Sequence, residues 1–397
     1  MEVVSWIGSS ASMSGYMNAI KVAVLTFPFL AFLITIPYMI SQYRKYGAIH
    51  SLRTLIIYSF VLYLLAAYFL VILPLPSMEV VESLATSQTQ LVPFAFIGDM
   101  VRESHFVWDD PSTYLGAILN PSVYVVLYNI LLTIPFGMYL RYYFKKDLKT
   151  TILYSFLLSL FFELTQLSGL YFIYPRGYRL FDVDDLILNT SGGCVGYFLG
   201  GLLTLFLPKR EEIDERSYVS GKHISFFRRM MSVGFDGVLY LLFSSISYAV
   251  FKNWLISYFV YFVLFPFICN GKTFGQMYMK IQMVTKDNQK VKLLRLTIRQ
   301  FSCLFVYILF PFLLLYLIRS LPFVNENVYT LCLICSSFVM VILYFVSFIR
   351  LLQKKTLIHE MITGTKMISI IQHESIKKNE DTSTIEEETL EKLEESS

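Results

Sequence analysis

Nine long runs of apolar residues dominate this sequence of 397 residues, and seven of the nine contain no charged side chain. A helix needs about 20 apolar residues to cross the hydrocarbon core of a bilayer. Because the runs are continuous and lack the alternation of a β-barrel, they predict an all-α integral membrane protein with about nine transmembrane helices. The predicted spans are 22–43, 54–78, 111–140, 150–175, 186–208, 230–251, 253–271, 301–318 and 327–349.

Basic residues are concentrated in alternate loops, which sets the expected orientation. They follow the first, third, fifth, seventh and ninth runs, whereas the loop at 79–110 is acidic. By the positive-inside rule, the N-terminus is expected outside and the C-terminus in the cytosol. The net charge of the chain is +4, and its basic residues sit in these short loops, so the expected partner is the lipid bilayer and not nucleic acid.

The basic stretch 209–229 divides the predicted spans into two groups. We predict a five-helix membrane domain at 1–208, a basic cytosolic linker at 209–229, a four-helix membrane domain at 230–372 and a disordered acidic tail at 373–397. Within the second domain, residues 280–285 and 290–293 alternate around a turn at 286–289. This pattern predicts a small cytosolic β-hairpin, to which 369–372 could add a third strand.

Polar residues in and beside the fourth and fifth spans predict a binding pocket at the outer face. Glu163 and Gln166 are three residues apart and therefore share one helix face. Ionisable residues inside a span are costly and mark candidate sites. The predicted pocket residues are Glu163, Gln166, Arg179, Asp182, Asp185 and Asn189. The helix-packing stripe Gly192, Gly196 and Gly200 has four-residue spacing, which favours close approach of the fourth span.

Two other interpretations of the same cluster stay open. In a structural clasp, Arg179 would pair with Asp182 or Asp185, and Gln166 would bond Asn189. In a hard-cation site the oxygens would hold Mg²⁺ or Ca²⁺, although no tight ligand spacing supports one. Since no Ser/His/Asp or Cys/His set accompanies the cluster, we expect a non-enzymatic protein with neither cofactor nor metal.

Three segments of the first half resemble the VanZ family signature. They are Phe162-Glu163-Leu164-Thr165-Gln166, Arg179-Leu180-Phe181-Asp182-Val183-Asp184-Asp185 and Asn189-Thr190-Ser191-Gly192, which match its E-x-x-Q, R-x-x-D-x-x-D and N-x-x-G pieces. The resemblance implies a multi-pass protein of the bacterial cytoplasmic membrane, linked to low-level teicoplanin resistance. Its expected partner is a lipoglycopeptide or a lipid-linked cell-wall precursor, and the sequence indicates no oligomeric state.

The second half resembles the RDD family, in segments whose members are Arg228, Arg229, Asp236, Gly271, Gly275, Arg299, His359 and Glu360. Gln276 and Glu360 depart from the usual Lys and Asp. The resemblance suggests membrane transport, the alternative function. Asp236 would either pair with one of the three arginines or act as an ion or proton relay. A metal-dependent enzyme acting on lipid-linked phosphates is a second alternative.

Overall fold

The computed structural model describes residues 13–103, 107, 109–118, 120–320, 326–353 and 355–371. Within these ranges the chain is mostly helical, as the apolar runs predict, with only four short strands. The predicted acidic tail at 373–397 lies outside the described residues, as does residue 372 of the predicted third strand.

Seven helices of the described chain are long and apolar enough to cross a membrane, which confirms the all-α membrane fold. In chain order the helices are α1 (Met13–Tyr46), α2 (Ser51–Ile72), α3 (Met78–Glu82), α4 (Ala95–Glu103), α5 (Ser112–Ile118), α6 (Pro121–Tyr142), α7 (Leu148–Leu167), α8 (Val183–Phe206), α9 (Arg210–Gly221), α10 (Phe226–Phe251), α11 (Trp254–Phe259), α12 (Phe265–Ile268), α13 (Phe274–Tyr278), α14 (Leu293–Leu304), α15 (Phe310–Arg319), α16 (Glu326–Leu352) and α17 (Ile358–Thr363). The seven are α1, α2, α6, α7, α8, α10 and α16.

Two predicted spans coincide with helical stretches that contain π-helical turns. The first, Trp254–Ile268, joins α11 and α12 through the π-turn Val260–Leu264. At 1.5 Å per residue it is about 22 Å long, which is shorter than a hydrocarbon core of about 30 Å. The second joins α14 and α15 through the π-turn Phe305–Leu309. The count of nine spans and their orientation therefore stay predictions.

Polar side chains cap the N-termini of four of the long helices, among them α6, where Asn120 accepts a hydrogen bond from Ser122 N. Asp147 accepts a hydrogen bond from Thr150 N at the start of α7, and Ser225 accepts one from Arg228 N at the start of α10. Asp182 does the same for α8 through Asp184 N. Such caps satisfy amides that the first helical turn leaves without partners. They explain why these helices begin at these residues.

Contacts divide the described chain into two compact units. Unit one contains the chain up to Thr35 and Ser51–Ile213, and unit two contains Ile36–His50 and the chain from Asp214 onward. The division after Ile213 falls inside the predicted linker at 209–229, much of which is helix α9. The predicted domain limits themselves stay predictions.

In unit one, the glycine stripe contacts α6, so the prediction that it contacts the fourth span was wrong. A Cβ at Gly192 would collide with the carbonyl of Ile130, and one at Gly196 would lie 3.0 Å from Cα of Ile134. The fourth span, α7, instead meets the adjacent Gly193 through Ser155. Successive helical residues point about 100° apart, so the four-residue stripe and its neighbour face different helices.

Gly200 continues the same contact. A Cβ there would lie 3.0 Å from Cα of Met138 in α6. Gly137 supplies the matching close approach from the α6 side, where a Cβ would collide with the carbonyl of Gly193. Small residues on both helices therefore bring the α6 and α8 backbones together.

The loop connecting α2 to α6 returns to the segment between α7 and α8. Strand β1 (Thr89–Gln90) pairs in parallel with β2 (Phe181–Asp182). Between α7 and β2, Gly169–Phe172 forms a left-handed turn, with φ from +54° at Leu170 to +68° at Phe172. These connections place both loops at the N-terminal end of α8.

In unit two, the predicted β-hairpin was wrong, because its two strands do not pair with each other. Strand β3 (Ile281–Thr285) pairs antiparallel with β4 (Thr365–Ser369), which follows the last long helix. The predicted turn after β3 is present, since Asn288 N donates to the carbonyl of Thr285. Beyond that turn, Thr285 N donates to the carbonyl of Gln289 at 3.0 Å, and the chain then enters α14 at Leu293.

The α6–α8 contact predicts that Gly196→Ala lowers the thermal stability of the purified protein. The new methyl group would collide with the α6 backbone, and overpacking of this kind costs about 1–3 kcal/mol. The melting temperature in detergent, followed by intrinsic fluorescence, is the measurement. Gly116→Ala is the matched control, because a Cβ there meets nothing within 4 Å. An equal melting temperature for Gly196→Ala and wild type would contradict the packing argument.

Candidate functional site

A cavity of about 570 Å³ lies within unit one, between the helical spans and the two connected loops. All six residues predicted for the pocket line it: Glu163, Gln166, Arg179, Asp182, Asp185 and Asn189. Its remaining wall is largely apolar and includes Leu70, Val80, Leu84, Val125, Leu132, Phe162 and Leu180. The cavity therefore combines one cluster of polar groups with a broad apolar surface.

Glu163 and Gln166 of α7 are both buried at the cavity wall. One carboxylate oxygen of Glu163 accepts a hydrogen bond of 3.0 Å from Asp182 N. Gln166 Nε2 donates to the carbonyl of Val71 at 3.0 Å. The two side chains thus connect α7 to the start of α8 and to the end of α2, while both face the cavity.

Asp185 and Asn189 lie one turn apart on α8, as their four-residue spacing predicts. Asp185 accepts a hydrogen bond from Asn129 Nδ2 of α6. Asn189 donates through Nδ2 to Ser159 Oγ at 2.9 Å, and its own carbonyl accepts from Thr133. These bonds hold α8 to α6 and α7 beside the cavity.

The amide oxygen of Asn189 is unusual among these groups. The side chain is only 4% exposed, yet no donor for Oδ1 exists within the described residues. A buried polar atom without a partner costs about 1–3 kcal/mol. Because Asn189 lines the cavity, a donor supplied by a ligand or a water molecule would remove this cost.

The described hydrogen bonds of the two arginines at the cavity end on backbone carbonyls. The hydrogen bonds described for Arg179 end on the carbonyls of Val71, at 2.8 Å, and Leu73, at 3.3 Å. Arg176 donates to the carbonyls of Leu84 and Thr86. Their guanidinium groups therefore hold the loop that follows α2.

Among the described residues, the Gln166–Asn189 bond of the predicted clasp is not formed. Gln166 and Asn189 bond Val71 and Ser159, respectively, and not each other. The amide groups thus connect three different helices through separate partners.

Asp184 was not predicted as a site residue and is not among the lining residues of the cavity, but it connects α8 to the start of α4. Its buried carboxylate accepts from Phe94 N at 2.5 Å and from Phe96 N at 2.9 Å, at the start of α4. Phe94 has a left-handed backbone, with φ of +64°, which turns its N–H toward the same carboxylate as Phe96 N. An Asp in the first turn of a helix is a capping signal, but the sequence does not show that the amides belong to another helix.

Burial shifts two ionisable groups at the cavity outside the spans. It raises the pKa of the Asp182 carboxyl above its usual value, with the Asp184 N–H acting in the opposite direction. Burial also raises the pKa of Tyr178 to about 12. The phenol of Tyr178 is therefore protonated at neutral pH and can donate a hydrogen bond.

The described residues contain no group of three or more His, Cys, Asp and Glu side chains positioned to hold a metal ion. In the cavity, one oxygen of each carboxylate already accepts a bond from an N–H group. Such bonds compete with a cation for the same oxygens. The geometry of the described cluster therefore does not favour the hard-cation alternative.

In unit two, Asp236 of α10 is buried and accepts three hydrogen bonds from neutral donors. These are Tyr261 Oη at 3.1 Å, Thr273 Oγ1 at 2.5 Å and Gly275 N at 2.8 Å. The predicted pairing of Asp236 with an arginine is therefore wrong for the described residues. Gly275 is required here, because a Cβ would lie 2.9 Å from the Asp236 carboxylate.

The segment around Gly275 is fixed by its own capping interactions. Gly271 begins it with φ of +77°, and Thr273 and Gln276 form a capping box at the start of α13. Gln276 stands where the RDD pattern has Lys, and its Oε1 accepts from Thr273 N at 3.1 Å. At this position the side chain caps a helix instead of carrying a charge.

The arginines of unit two have other partners. Glu360 is completely buried and pairs with Arg299 at 3.2 Å and with Arg229 at 3.4 Å. Its second oxygen accepts from Leu357 N at 2.9 Å, so Glu360 both pairs with the arginines and caps α17. Arg299 and Arg229 hold the pKa of Glu360 below its usual value, although burial acts in the opposite direction and is the largest influence.

Arg228 is the third arginine and is fully buried. Its guanidinium donates to the carbonyls of Met279, at 2.9 Å, and Lys280, at 2.7 Å, and to Ser369 Oγ at 3.0 Å. It also donates to the carbonyl of Gly221 at 3.1 Å. Arg228 thereby connects the start of α10 to the beginning of β3 and the end of β4.

His359 lies next to this cluster and is only 6% exposed. Its ring meets Tyr307 edge to face at a centroid distance of 5.8 Å. Burial, together with the nearby Arg299, lowers the pKa of His359 to about 4. The folded protein therefore favours the neutral imidazole.

Comparison with known families agrees with both resemblances. Residues 60–206 match the family model described as VanZ/LLP1, and residues 223–364 match the model described as the RDD family. The cavity belongs to the first match, and the Asp236 and Glu360 clusters belong to the second. No curated protein and no solved structure matches the chain.

Glu360→Gln is expected to destabilise unit two strongly. Removing one partner of a buried ion pair costs about 3–5 kcal/mol, because the other charge stays buried without compensation. The measurement is the melting temperature of the purified protein. Glu326→Gln is the control, since that carboxylate is exposed and lies 3.9 Å from the exposed Arg319. Surface pairs of this kind contribute about 0–1 kcal/mol. Similar losses for both variants would contradict the assignment.

The lowered pKa of His359 predicts that the protein loses stability on acidification. Its folded pKa of about 4 lies below the unfolded value of about 6.5. Its contribution is therefore complete above pH 6.5 and is lost as the pH falls toward 4. The melting temperature of His359→Asn should fall less than that of wild type between pH 7 and 5. His223→Asn, which replaces an exposed histidine, should keep the wild-type slope. An unchanged slope in His359→Asn would refute the prediction.

Proposed function

We propose that this protein contributes to low-level resistance to teicoplanin-type lipoglycopeptides. The premise is that the chain joins a VanZ-family domain to an RDD-family domain in a multi-pass membrane protein. In this proposal the cavity of unit one binds an amphiphilic molecule at the outer face of a bacterial cytoplasmic membrane. The role is binding and not catalysis. The alternating basic loops support the outward orientation.

The observation that carries this proposal is the composition of the cavity wall. Six polar residues from α7, α8 and their connecting segment gather beside apolar side chains from α2, α6 and the loop after α2. Ligand sites in proteins typically combine an apolar surface with a few placed polar groups. Such a wall fits a molecule with one polar end and one apolar end.

The polar groups favour a ligand that donates hydrogen bonds. Within the described residues, Asn189 Oδ1 has no donor. Glu163 and Asp185 each have one carboxyl oxygen with a described donor, which leaves the other oxygen available. A hydroxyl, amide or ammonium group would satisfy these oxygens, and an ammonium group would also supply positive charge.

The volume of the cavity in unit one limits how much of a lipoglycopeptide could bind there. A cavity of about 570 Å³ is the size of a site for a drug-sized ligand, and a glycopeptide with its acyl chain is larger. We therefore propose that one arm of the antibiotic, or the end of a lipid-linked cell-wall precursor, occupies it. In the second case the protein would protect the precursor without altering the usual peptidoglycan target.

Teicoplanin susceptibility of a bacterium that expresses the protein tests the proposal. Glu163→Gln and Asp185→Asn keep the size of each side chain and replace an accepting carboxyl oxygen with a donating amide group. Loss of a hydrogen bond to the ligand costs about 1 kcal/mol, or about fivefold in affinity, so both variants should lose much of the protection. Expression level in the membrane fraction must be equal for all variants.

Asp109→Asn is the matched control, because Asp109 is an exposed carboxylate that does not line the cavity. It should protect as well as wild type. Full protection by both Glu163→Gln and Asp185→Asn would refute the cavity as the site of function. No protection by the wild-type protein would refute the resistance role in that host.

A second candidate function, transport of ions or small solutes, has support from Asp236. This carboxylate lies within a membrane-spanning helix and is held by neutral donors only, among the described residues. Buried carboxylates of this kind serve ion and proton paths in membrane proteins. Asp236→Asn in the same susceptibility assay separates the candidates, since it should leave the cavity of unit one intact.

A further inference from the structure

Unit two contains a second recess, separate from the clusters at Asp236 and Glu360. It is open to solvent, has a volume of about 590 Å³, and lies between the last turns of α1 and the short segment that joins α13 to β3. Its lining residues are Pro37, Ile40, Ser41, Arg44, Lys45, Tyr278 and Lys280. Three of these seven side chains are cationic and none is acidic.

The cations of this basic recess are not neutralised by the described protein. Among the described residues, no salt bridge involves Arg44, Lys45 or Lys280. Instead, the Arg44 guanidinium lies over the ring of Tyr278, 4.2 Å from its centroid, and Lys45 Nζ lies 5.1 Å from the ring of Tyr46. Contact with an aromatic ring holds a cation in place and leaves its charge available.

The buried Arg228 fixes the backbone that carries two of the lining residues. It donates to the carbonyls of Met279 and Lys280, and Ile370 N donates to the same Lys280 carbonyl. Lys280 has a left-handed backbone, with φ of +54°, between Tyr278 and strand β3. The position of Lys280 in the recess therefore follows from a buried hydrogen-bond network and not from a free loop.

The position of the recess along α1 indicates the kind of ligand. Residues 17–46 form one of the helices able to cross a membrane, and Arg44 and Lys45 lie in its last turn. Pro37 and Ile40 lie one to two turns earlier and line the same recess. The cations thus meet the membrane surface where the apolar part of the helix ends.

We propose that the basic recess binds the phosphate headgroup of an anionic membrane lipid, with the acyl chains along α1. Basic pockets beside membrane helices attract such headgroups, and each cation contributes about fivefold to binding. A free phosphate would use the cations alone, whereas the apolar residues of the lining add contact only for a lipid. The sequence orientation predicts the cytosolic leaflet for this site.

Lipid binding to the full-length purified protein tests the proposal. The probes are phosphatidylglycerol, phosphatidylcholine and inorganic phosphate, and native mass spectrometry counts the molecules retained. We expect saturable binding of phosphatidylglycerol only. Arg44→Gln and Lys280→Gln should each weaken the binding of phosphatidylglycerol about fivefold. Arg44→Lys keeps the positive charge and should retain most of the wild-type affinity.

Lys290→Gln is the matched control, because Lys290 is an exposed cation of unit two outside the recess. It should retain wild-type binding. Equal binding of both lipids, or wild-type affinity in both Arg44→Gln and Lys280→Gln, would overturn the proposal. Binding of inorganic phosphate as tight as that of phosphatidylglycerol would overturn the assignment to a lipid.

Discussion

Close backbone contact between α6 and α8 determines where the polar groups of unit one can lie. Glycines on both helices remove the side chains that would otherwise separate them. Asn129 can then reach Asp185, and Thr133 can reach the backbone of Asn189. With α8 fixed against α6, the buried face of α7 completes the wall that carries Glu163 and Gln166.

Both units hold charged side chains in a similar way, with neutral groups as the main described partners. The described bonds of Arg176, Arg179 and Arg228 end mostly on carbonyl oxygens. Asp184 accepts from two backbone N–H groups, and Asp236 accepts from one backbone N–H and two hydroxyl groups. Such bonds satisfy the side chains without cancelling their charge, which keeps a local electric field in each unit. The Glu360 cluster is the exception, since its carboxylate lies between two guanidinium groups.

Local spacing predicted which of the candidate residues share a helix face. Glu163 with Gln166, and Asp185 with Asn189, share helix faces because helical geometry fixes positions three and four residues apart. The choice between partners of similar type was not predictable in the same way. The stripe of Gly192, Gly196 and Gly200 shows that some helix approaches, but not which one.

Contacts between segments far apart in the sequence were not fully predictable, for a related reason. Strand β3 lies inside the predicted strand 280–285, but its partner β4 is about eighty residues later. The sequence suggested 369–372 as an added strand, and β4 ends at Ser369, where that segment begins. Asp184 and Asn129 also act through segments that are distant in sequence. For Asp184 and Asn129 the residue type predicted a polar contact, but only the three-dimensional fold shows which residue is the partner.

The bonds from Arg176 to Leu84 and Thr86, and from α4 to Asp184, affect how fast a ligand could exchange. They tie two loops that are far apart in sequence to one end of the cavity. A ligand whose entry required these loops to separate would bind and leave more slowly than diffusion allows.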